Sequence, residues 1–285
     1  MLPRMAKPIQ TARLTWREDV TDTLARFRFD LDGGVPDFLP GQFVTLGLPD
    51  DEKPGKLLWR AYSIASAPST KEHLELYIRR PMSPVPGRFT SALWKLPIGG
   101  ELAQRGITGP FGVEEKLPSG APDQRRLLLV GGGTGIAPYV AMAVEMKRRA
   151  TPREVIIVHG ASYVDELGYR DLFQAMEQET RSAGPDAFRL RYVASISRPK
   201  EPKNAGWTGD CGRAESLFVA PEGGGPSRME RLLDEPITPE RFFVHVCGYD
   251  GTCKGVLAVL EPRGFRGFRQ RREDGSFDLK IESYG

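Results

Sequence analysis

A chain of 285 residues, 40% hydrophobic and 27% charged, with a formal net charge of +3, has the balance of a globular protein long enough for two cores, and no apolar run in it is long enough to cross a bilayer. Its three cysteines, Cys211, Cys247 and Cys253, lack CxxC spacing. This argues against a disulfide framework, a metal site of the zinc type and a four-cysteine iron–sulfur cluster, so any iron–sulfur centre must belong to a partner. The opening "MLPRMAKPIQ" has neither the apolar region nor the small-residue cleavage site of a secretory signal, and a cytoplasmic protein is expected.

In chain order, "ARLTWRED", "TLARFRFDL", "GQFVTLGLP", "LWRAYSIAS", "LELYIRR" and "GGELAQRGITGPFG" alternate as short strands between glycine and proline turns. That pattern predicts a closed antiparallel β-barrel over residues 1–117. One short helix interrupts it at "GRFTSALWKLP", with Thr90 or Ser91 as its cap. "KLPSGAPDQ", residues 116–124, reads as the domain boundary. From 125 to 285 the rhythm changes to "RRLLLV", "REVIIVHG", "FRLRYVAS" and "RFFVHVCG" as strands, with "APYVAMAVEMKRRA", "VDELGYRDLFQAMEQET" and "DGTCKGVLAVLE" as helices. Alternation at this pitch predicts an α/β domain with a parallel sheet, whose ligand crevice lies beyond the carboxyl ends of the strands.

Two stretches carry the chemistry. "VGGGTGIAPY" follows a strand and opens a helix. Gly131, Gly132, Gly133 and Gly135 clear side chains from a backbone that could cradle a phosphate at a helix N-terminus, and Pro138 suits a first helical turn. Alone it is a weak signal, with a plain tight turn as the alternative to phosphate binding. It also departs from the usual dinucleotide fingerprint, because Pro138 replaces the third glycine and the next strand ends in His159-Gly160 rather than an acid. In "RAYS", Arg60 and Tyr62 share one face of an extended strand. A guanidinium beside a phenol ring, with the Ser63 hydroxyl next to them, suits a pyrophosphate joined to a large flat ring. The alternative is an exposed ion pair beside a core tyrosine. The two stretches together favour the ligand.

With these residues in order along nearly the whole chain, the sequence resembles the ferredoxin–NADP(+) reductase family, in its bacterial flavodoxin/ferredoxin reductase branch. "RAYS" is similar to the family's RxYS flavin motif. The resemblance implies that Arg60 holds the FAD pyrophosphate, that Ala61 and Tyr62 lie along the ring with Tyr62 stacked on it, and that Ser63 sits near N5. "LYIRR" is similar to the segment lining the ribityl and pyrophosphate, here Tyr77, Ile78 and Arg79. "GRFTSAL" resembles the G-x-x-T-S turn whose backbone N–H groups, here on Phe89, Thr90 and Ser91, complete the phosphate cradle. "GGGTGIAP" implies that Gly133, Thr134 and Gly135 bind the nicotinamide dinucleotide, and "VCGYDGTCKGV" places Cys247 and Gly248 beside the nicotinamide. The "IESYG" ending implies Glu282 as an acid near the flavin and Tyr284 as a ring covering it until nicotinamide arrives.

The resemblance therefore implies a flavoenzyme carrying FAD, using NADPH with NADH possible, and passing electrons by hydride transfer to flavin N5 and on to ferredoxin or flavodoxin. The family grips the adenosine 2′-phosphate with arginines. Arg198 fits one position, but Ser162 and Asp210 stand at positions often basic in relatives, which is expected to weaken NADPH relative to NADH unless Arg213 or Arg170 compensates. The run Arg263, Arg266, Arg269, Arg271 and Arg272 reads as a solvated loop or as a docking patch for an acidic ferredoxin or flavodoxin. No nucleic-acid motif accompanies it. Two rival readings are a reductase component of an oxygenase or haem protein and a non-enzymatic dinucleotide-sensing or protein-binding module.

Overall fold

The computed structural model describes residues 9–82 and 84–284. The first eight residues, most of the stretch used for the signal-peptide reading, lie outside the described residues. The chain divides into two compact units. One holds the chain up to Gly112 with Val140–Glu145, and the other holds Val113–Tyr139 with the chain from Met146 onward.

The first unit is a six-stranded antiparallel sheet of β1 (Gln10–Thr21), β2 (Leu24–Leu31), β3 (Phe43–Pro49), β4 (Leu57–Ser63), β5 (Leu74–Arg79) and β6 (Glu101–Thr108), ordered β4-β3-β6-β1-β2-β5. The two end strands meet through a single Ile64↔Leu76 bridge, which closes the sheet into a barrel. Alternation explains its filling. Phe27, Phe29 and Leu31 point into the core, while Arg26, Arg28 and Asp30 point out. In β1 a register shift between Leu14 and Trp16 turns Trp16 outward, where the Arg28 guanidinium lies 4.3 Å from its ring centre.

Helix α1 (Arg88–Lys95) buries Phe89, Thr90 and Leu93. Its cap differs from the sequence expectation: Gly87 is the N-cap, with no side-chain cap. Thr90 and Ser91 lie inside the first turn, where the Thr90 hydroxyl donates back to the Gly87 carbonyl at 3.1 Å. A Cβ on Gly87 would stand 2.6 Å from that hydroxyl, so a side chain there would have to displace it.

The second unit is a parallel sheet of β7 (Arg126–Gly132), β8 (Glu154–Ala161), β9 (Arg189–Ile196), β10 (Asp210–Cys211), β11 (Phe242–Gly248) and β12 (Leu279–Ser283), ordered β10-β9-β8-β7-β11-β12. The runs LLLV and VIIV are buried along their whole length because the central strands of such a sheet are covered on both faces. Its helices are α2 (Ala137–Arg148), α3 (Arg170–Thr180), α4 (Arg228–Leu233) and α5 (Asp250–Leu260). The helix expected from Val164 is broken: a single 3-10 turn, Val164–Glu166, precedes α3, and Tyr169 takes a left-handed φ of 62° where they join. The chain after β7 builds strands on one side and the chain after α4 builds them on the other. The topological switch point thus falls between β7 and β11, and ligands bind beyond the carboxyl ends at such a point.

Residues 113–124 fold back onto this second unit as a tight turn, with a Lys116↔Pro122 bridge. Asp123 pairs with Arg125 at 2.7 Å, and Arg125 pairs with Asp278 at 2.8 Å, which anchors the segment to the amino end of the sheet. Among the described residues no helix is long and apolar enough to cross a membrane.

Candidate flavin and nicotinamide sites

On the barrel, Arg60 pairs across the ladder with Leu46, and Tyr62 with Val44. Directly opposed residues share a face, so both project to the side on which Val44 and Leu46 fill the core. Arg60 is nonetheless exposed, because β4 is an end strand that meets β5 only at Ile64↔Leu76. Tyr62 lies beside it. Burial drives its phenol pKa upward despite the Arg60 charge, so it stays protonated. Its ring packs on Phe89 with centroids 5.7 Å apart. This contact brings the RAYS strand to the first turn of α1, two stretches well separated in sequence.

That first turn presents donors. As the first three helical residues, Arg88, Phe89 and Thr90 have N–H groups without helical partners. Ser91 differs from the expectation, because its N–H is committed to the Gly87 carbonyl at 2.8 Å. Its hydroxyl is buried and has no hydrogen-bond partner among the described residues. Free N–H groups at a helix start, an unpartnered buried hydroxyl and a nearby guanidinium form a donor set suited to a pyrophosphate. These residues fit FAD. Tyr77 and Ile78 are 3% and 1% exposed, and Ile78 belongs to the barrel core. Its side chain therefore does not line a ligand surface as expected, which leaves only its backbone for that role. Ala61 is exposed, while Ser63 and Arg79 are half-buried.

In the second unit the glycine turn sits at the end of β7. Gly133 has a φ of +56° and open space where a side chain would be, so ligand could approach its backbone closely. Gly135 is glycine for another reason: a Cβ there would lie 2.0 Å from the Cys247 carbonyl oxygen. It thus keys the turn against the end of β11. Tyr284 closes over the same turn. Its hydroxyl donates to the Gly132 carbonyl at 2.8 Å and accepts from the Thr134 hydroxyl at 3.1 Å. Its N–H bonds the Gly248 carbonyl at 3.1 Å. The exposed Tyr249 ring stacks edge-on at 5.3 Å, a contact the sequence reading missed.

Cys247 is fully buried and pairs in register with Glu282 across β11 and β12, Sγ to Oε2 4.0 Å. Burial, then the Glu282 charge, raises its pKa, so it is a neutral thiol that shapes the site rather than a nucleophile. Behind the turn, His159 is fully buried with Nδ1 3.0 Å from the Tyr192 hydroxyl. Burial pushes its pKa down to about 3, against the pull of the adjacent Gly133 backbone.

Arg198 lies past the end of β9, exposed, with its guanidinium 2.9 Å from the Tyr163 hydroxyl. Asp210 faces Arg228 at 2.6 Å, so its carboxylate is largely neutralised and opposes a nearby anion less than its bare charge suggested. Of the two compensating candidates, Arg170 stacks on Trp207 at 5.3 Å, while Arg213 stays mostly exposed. In the arginine run, Arg263 is tied to Glu230 at 2.8 Å and Arg272 to Asp278 at 2.6 Å. Arg266, Arg269 and Arg271 are left as its outward charges.

Residues 11–113 match the oxidoreductase FAD-binding domain family and residues 129–256 the oxidoreductase NAD-binding domain family. The chain is 32% identical to a ferredoxin–NADP reductase of Pseudomonas aeruginosa over 260 residues, 90% of each chain. It is also 32% identical to a flavodoxin/ferredoxin–NADP reductase of Rhodobacter capsulatus, over 86% of this chain and 83% of that one. The reductase component of a propane 2-monooxygenase from Rhodococcus jostii is 26% identical over 90% of this chain and 61% of its own. In fold, the chain is similar to a ferredoxin NADP+ reductase of Neisseria gonorrhoeae solved with FAD and NADP, with a TM-score of 0.72 and 23% identity over 96% of this chain and 98% of that one.

Proposed function

We propose, starting from the fact that this chain belongs to the ferredoxin–NADP reductase family, that it moves electrons between NADPH and an acidic ferredoxin or flavodoxin. At the coarser level it is an FAD- and NAD(P)-binding oxidoreductase whose activity is NAD(P)H-dependent flavin electron transfer. The non-enzymatic alternative is thereby set aside. The observation that carries the flavin part of the reading is the Tyr62–Phe89 contact, because it joins the cation and ring of β4 to the donors at the start of α1, and the 32% identity to ferredoxin–NADP and flavodoxin/ferredoxin–NADP reductases supports the carrier.

When bound, the flavin supplies the switch between two-electron hydride chemistry at N5 and one-electron transfer, and the chain's residues bind and orient. Arg60, the first N–H groups of α1 and the Ser91 hydroxyl hold the pyrophosphate. Tyr62, protonated and braced by Phe89, gives the ring a flat apolar face. Ser63 supplies a polar atom near N5. Gly133 and Thr134 receive the nicotinamide dinucleotide once the Tyr284 hydroxyl has left Gly132 and Thr134, and Cys247 shapes the nicotinamide pocket. Arg266, Arg269 and Arg271 attract the acidic carrier, in a cytoplasmic setting consistent with free thiols at Cys211, Cys247 and Cys253.

Purified protein should be yellow, absorb near ~450 nm as bound flavin does, and reduce ferredoxin or flavodoxin with NADPH. Colourless protein that takes up no FAD overturns the reading. A flavoprotein that reduces only an oxygenase or haem partner supports the second reading, which the similarity to oxygenase reductases favours.

A further inference from the structure

In a dinucleotide-binding sheet, the loop after the second strand reads the adenosine ribose: an acid there accepts from a 2′-hydroxyl, and an arginine receives a 2′-phosphate. In this unit the second strand is β8, and Tyr163 on the loop beyond it gathers both kinds of group from the loop after β9. The Tyr163 hydroxyl donates to Glu201 Oε2 at 2.6 Å and accepts from Arg198 at 2.9 Å, while Arg198 lies 3.3 Å from Glu201 Oε1. One phenol oxygen thus holds a carboxylate and a guanidinium side by side.

The arrangement is built from beneath. Asn204 is 2% exposed; its Nδ2 donates to the Ser162 carbonyl at 3.1 Å and the Arg198 carbonyl at 2.8 Å, and its Oδ1 accepts from the Val164 N–H at 2.9 Å. This amide staples the loop after β8 to the loop after β9, which fixes Tyr163 and Arg198 relative to each other. Lys203, paired with Asp165 at 2.9 Å, lies 4.6 Å over the Tyr163 ring. Glu201 and Arg198 are both about half exposed, with side-chain exposures of 46% and 53%, so a ribose can reach them.

We propose that Glu201 is a specificity-determining residue for the nicotinamide dinucleotide. It accepts from the 2′-hydroxyl of NADH, and it must yield Arg198 before a 2′-phosphate can bind. Two ligand classes, a diol ribose and a phosphorylated ribose, thus compete for one triad. Like charges about 4 Å apart repel even in bulk water, and the repulsion doubles for a dianion. A dianion facing this carboxylate at a somewhat longer range is therefore opposed about tenfold. This proposal rests on the reductase reading, and the experiment separates the two.

In the holoenzyme, Glu201→Gln keeps a side chain able to bond Tyr163 but removes the charge. The ratio of kcat/KM for NADPH over NADH should rise about tenfold, with the NADPH change in KM rather than kcat. Arg198→Gln should lower the same ratio. Calorimetric titration of the holoenzyme with 2′-phospho-AMP and with 5′-AMP reads the site without turnover: Glu201→Gln should tighten the first about tenfold and leave the second equal or weaker. A ratio unchanged within twofold, or an equal shift for both mononucleotides, overturns the proposal and leaves the flavin reading standing. Protein without flavin overturns the reductase reading, and the same titration of wild type and Glu201→Gln, run on the protein as purified, then still decides the proposal.

Discussion

Gly135→Ala is the sharpest test of how the nicotinamide site is built. The added methyl would lie 2.0 Å from the Cys247 carbonyl oxygen, 2.5 Å from its carbon and 3.0 Å from the Gly248 nitrogen. Non-bonded contact distances begin near ~3.5 Å, so something must move by about 1.5 Å. The obstacle is the backbone of a central strand and not the tip of a flexible side chain. The cost should therefore reach the top of the overpacking range, about 3 kcal/mol, which lowers the melting temperature of a unit this size by roughly 6–12 °C. Gly133→Ala has open space and only its φ of +56° to contend with, at about 1–2 kcal/mol. It should melt closer to wild type yet bind NADPH more weakly, since its methyl points where ligand would approach. Thermal denaturation followed by circular dichroism, with NADPH titration of both variants, checks this. If Gly135→Ala melts within 2 °C of wild type, on the order of the shift expected for less than 1 kcal/mol, the turn is not keyed to β11.

Replacing Tyr284 by serine removes the ring and both of its hydroxyl contacts with the turn. Affinity for oxidised dinucleotide should rise and turnover slow, with flavin content unchanged; binding titration and steady-state rates that stay at wild-type values would refute the latch. Arg60→Leu should weaken FAD retention roughly 10- to 100-fold, the worth of a charge-assisted hydrogen bond, as read by flavin fluorescence on dilution; unaltered retention removes Arg60 from the site. His159 is held at about 3 in the folded protein, below its unfolded value near ~6.5. Between these values the unfolded chain binds more protons, so stability falls as pH drops below about 6.5, by roughly 1.4 kcal/mol per unit. His245, shifted the same way by burial, adds to the slope. Denaturant midpoints from pH 7.5 down to about 5.5 should therefore flatten in His159→Gln; an unchanged slope would show that His159 takes up its proton without unfolding.

The parts of this protein that were legible beforehand follow from periodicity. The Phe27-Arg28-Phe29-Asp30-Leu31 alternation can only face one side of a strand into a core. Unbroken runs such as LLLV and VIIV belong to strands covered on both faces. The glycine turn was legible as a motif, yet the reasons for its glycines were not: Gly135 answers to a carbonyl more than a hundred positions away. Strand β12 escaped notice because five residues beside a familiar ending carry little periodic signal. Helix α4 did carry one, since Ser227 and Glu230 form a capping box. The buried Ser91 hydroxyl, the Asn204 staple and the side chain of Ile78 depend on neighbours that only tertiary packing brings together.

The margins of the parallel sheet bear on how the protein behaves at high concentration. On one flank β10 covers only Ser195 and Ile196 of β9, while the Leu190 and Tyr192 N–H groups before them donate to the Thr180 hydroxyl and the Glu177 carboxylate. On the other flank, Gly267 bridges Leu279, and the Phe268 N–H is bonded to the Leu279 carbonyl at 3.2 Å, so the start of β12 is already paired. A second copy would thus meet two partly capped flanks, and the arginines around Gly267 add repulsion on one of them. Concentrated solutions should stay free of strand-mediated self-assembly, and truncating or rewriting the stretch just before β12 is where that tolerance would be lost first.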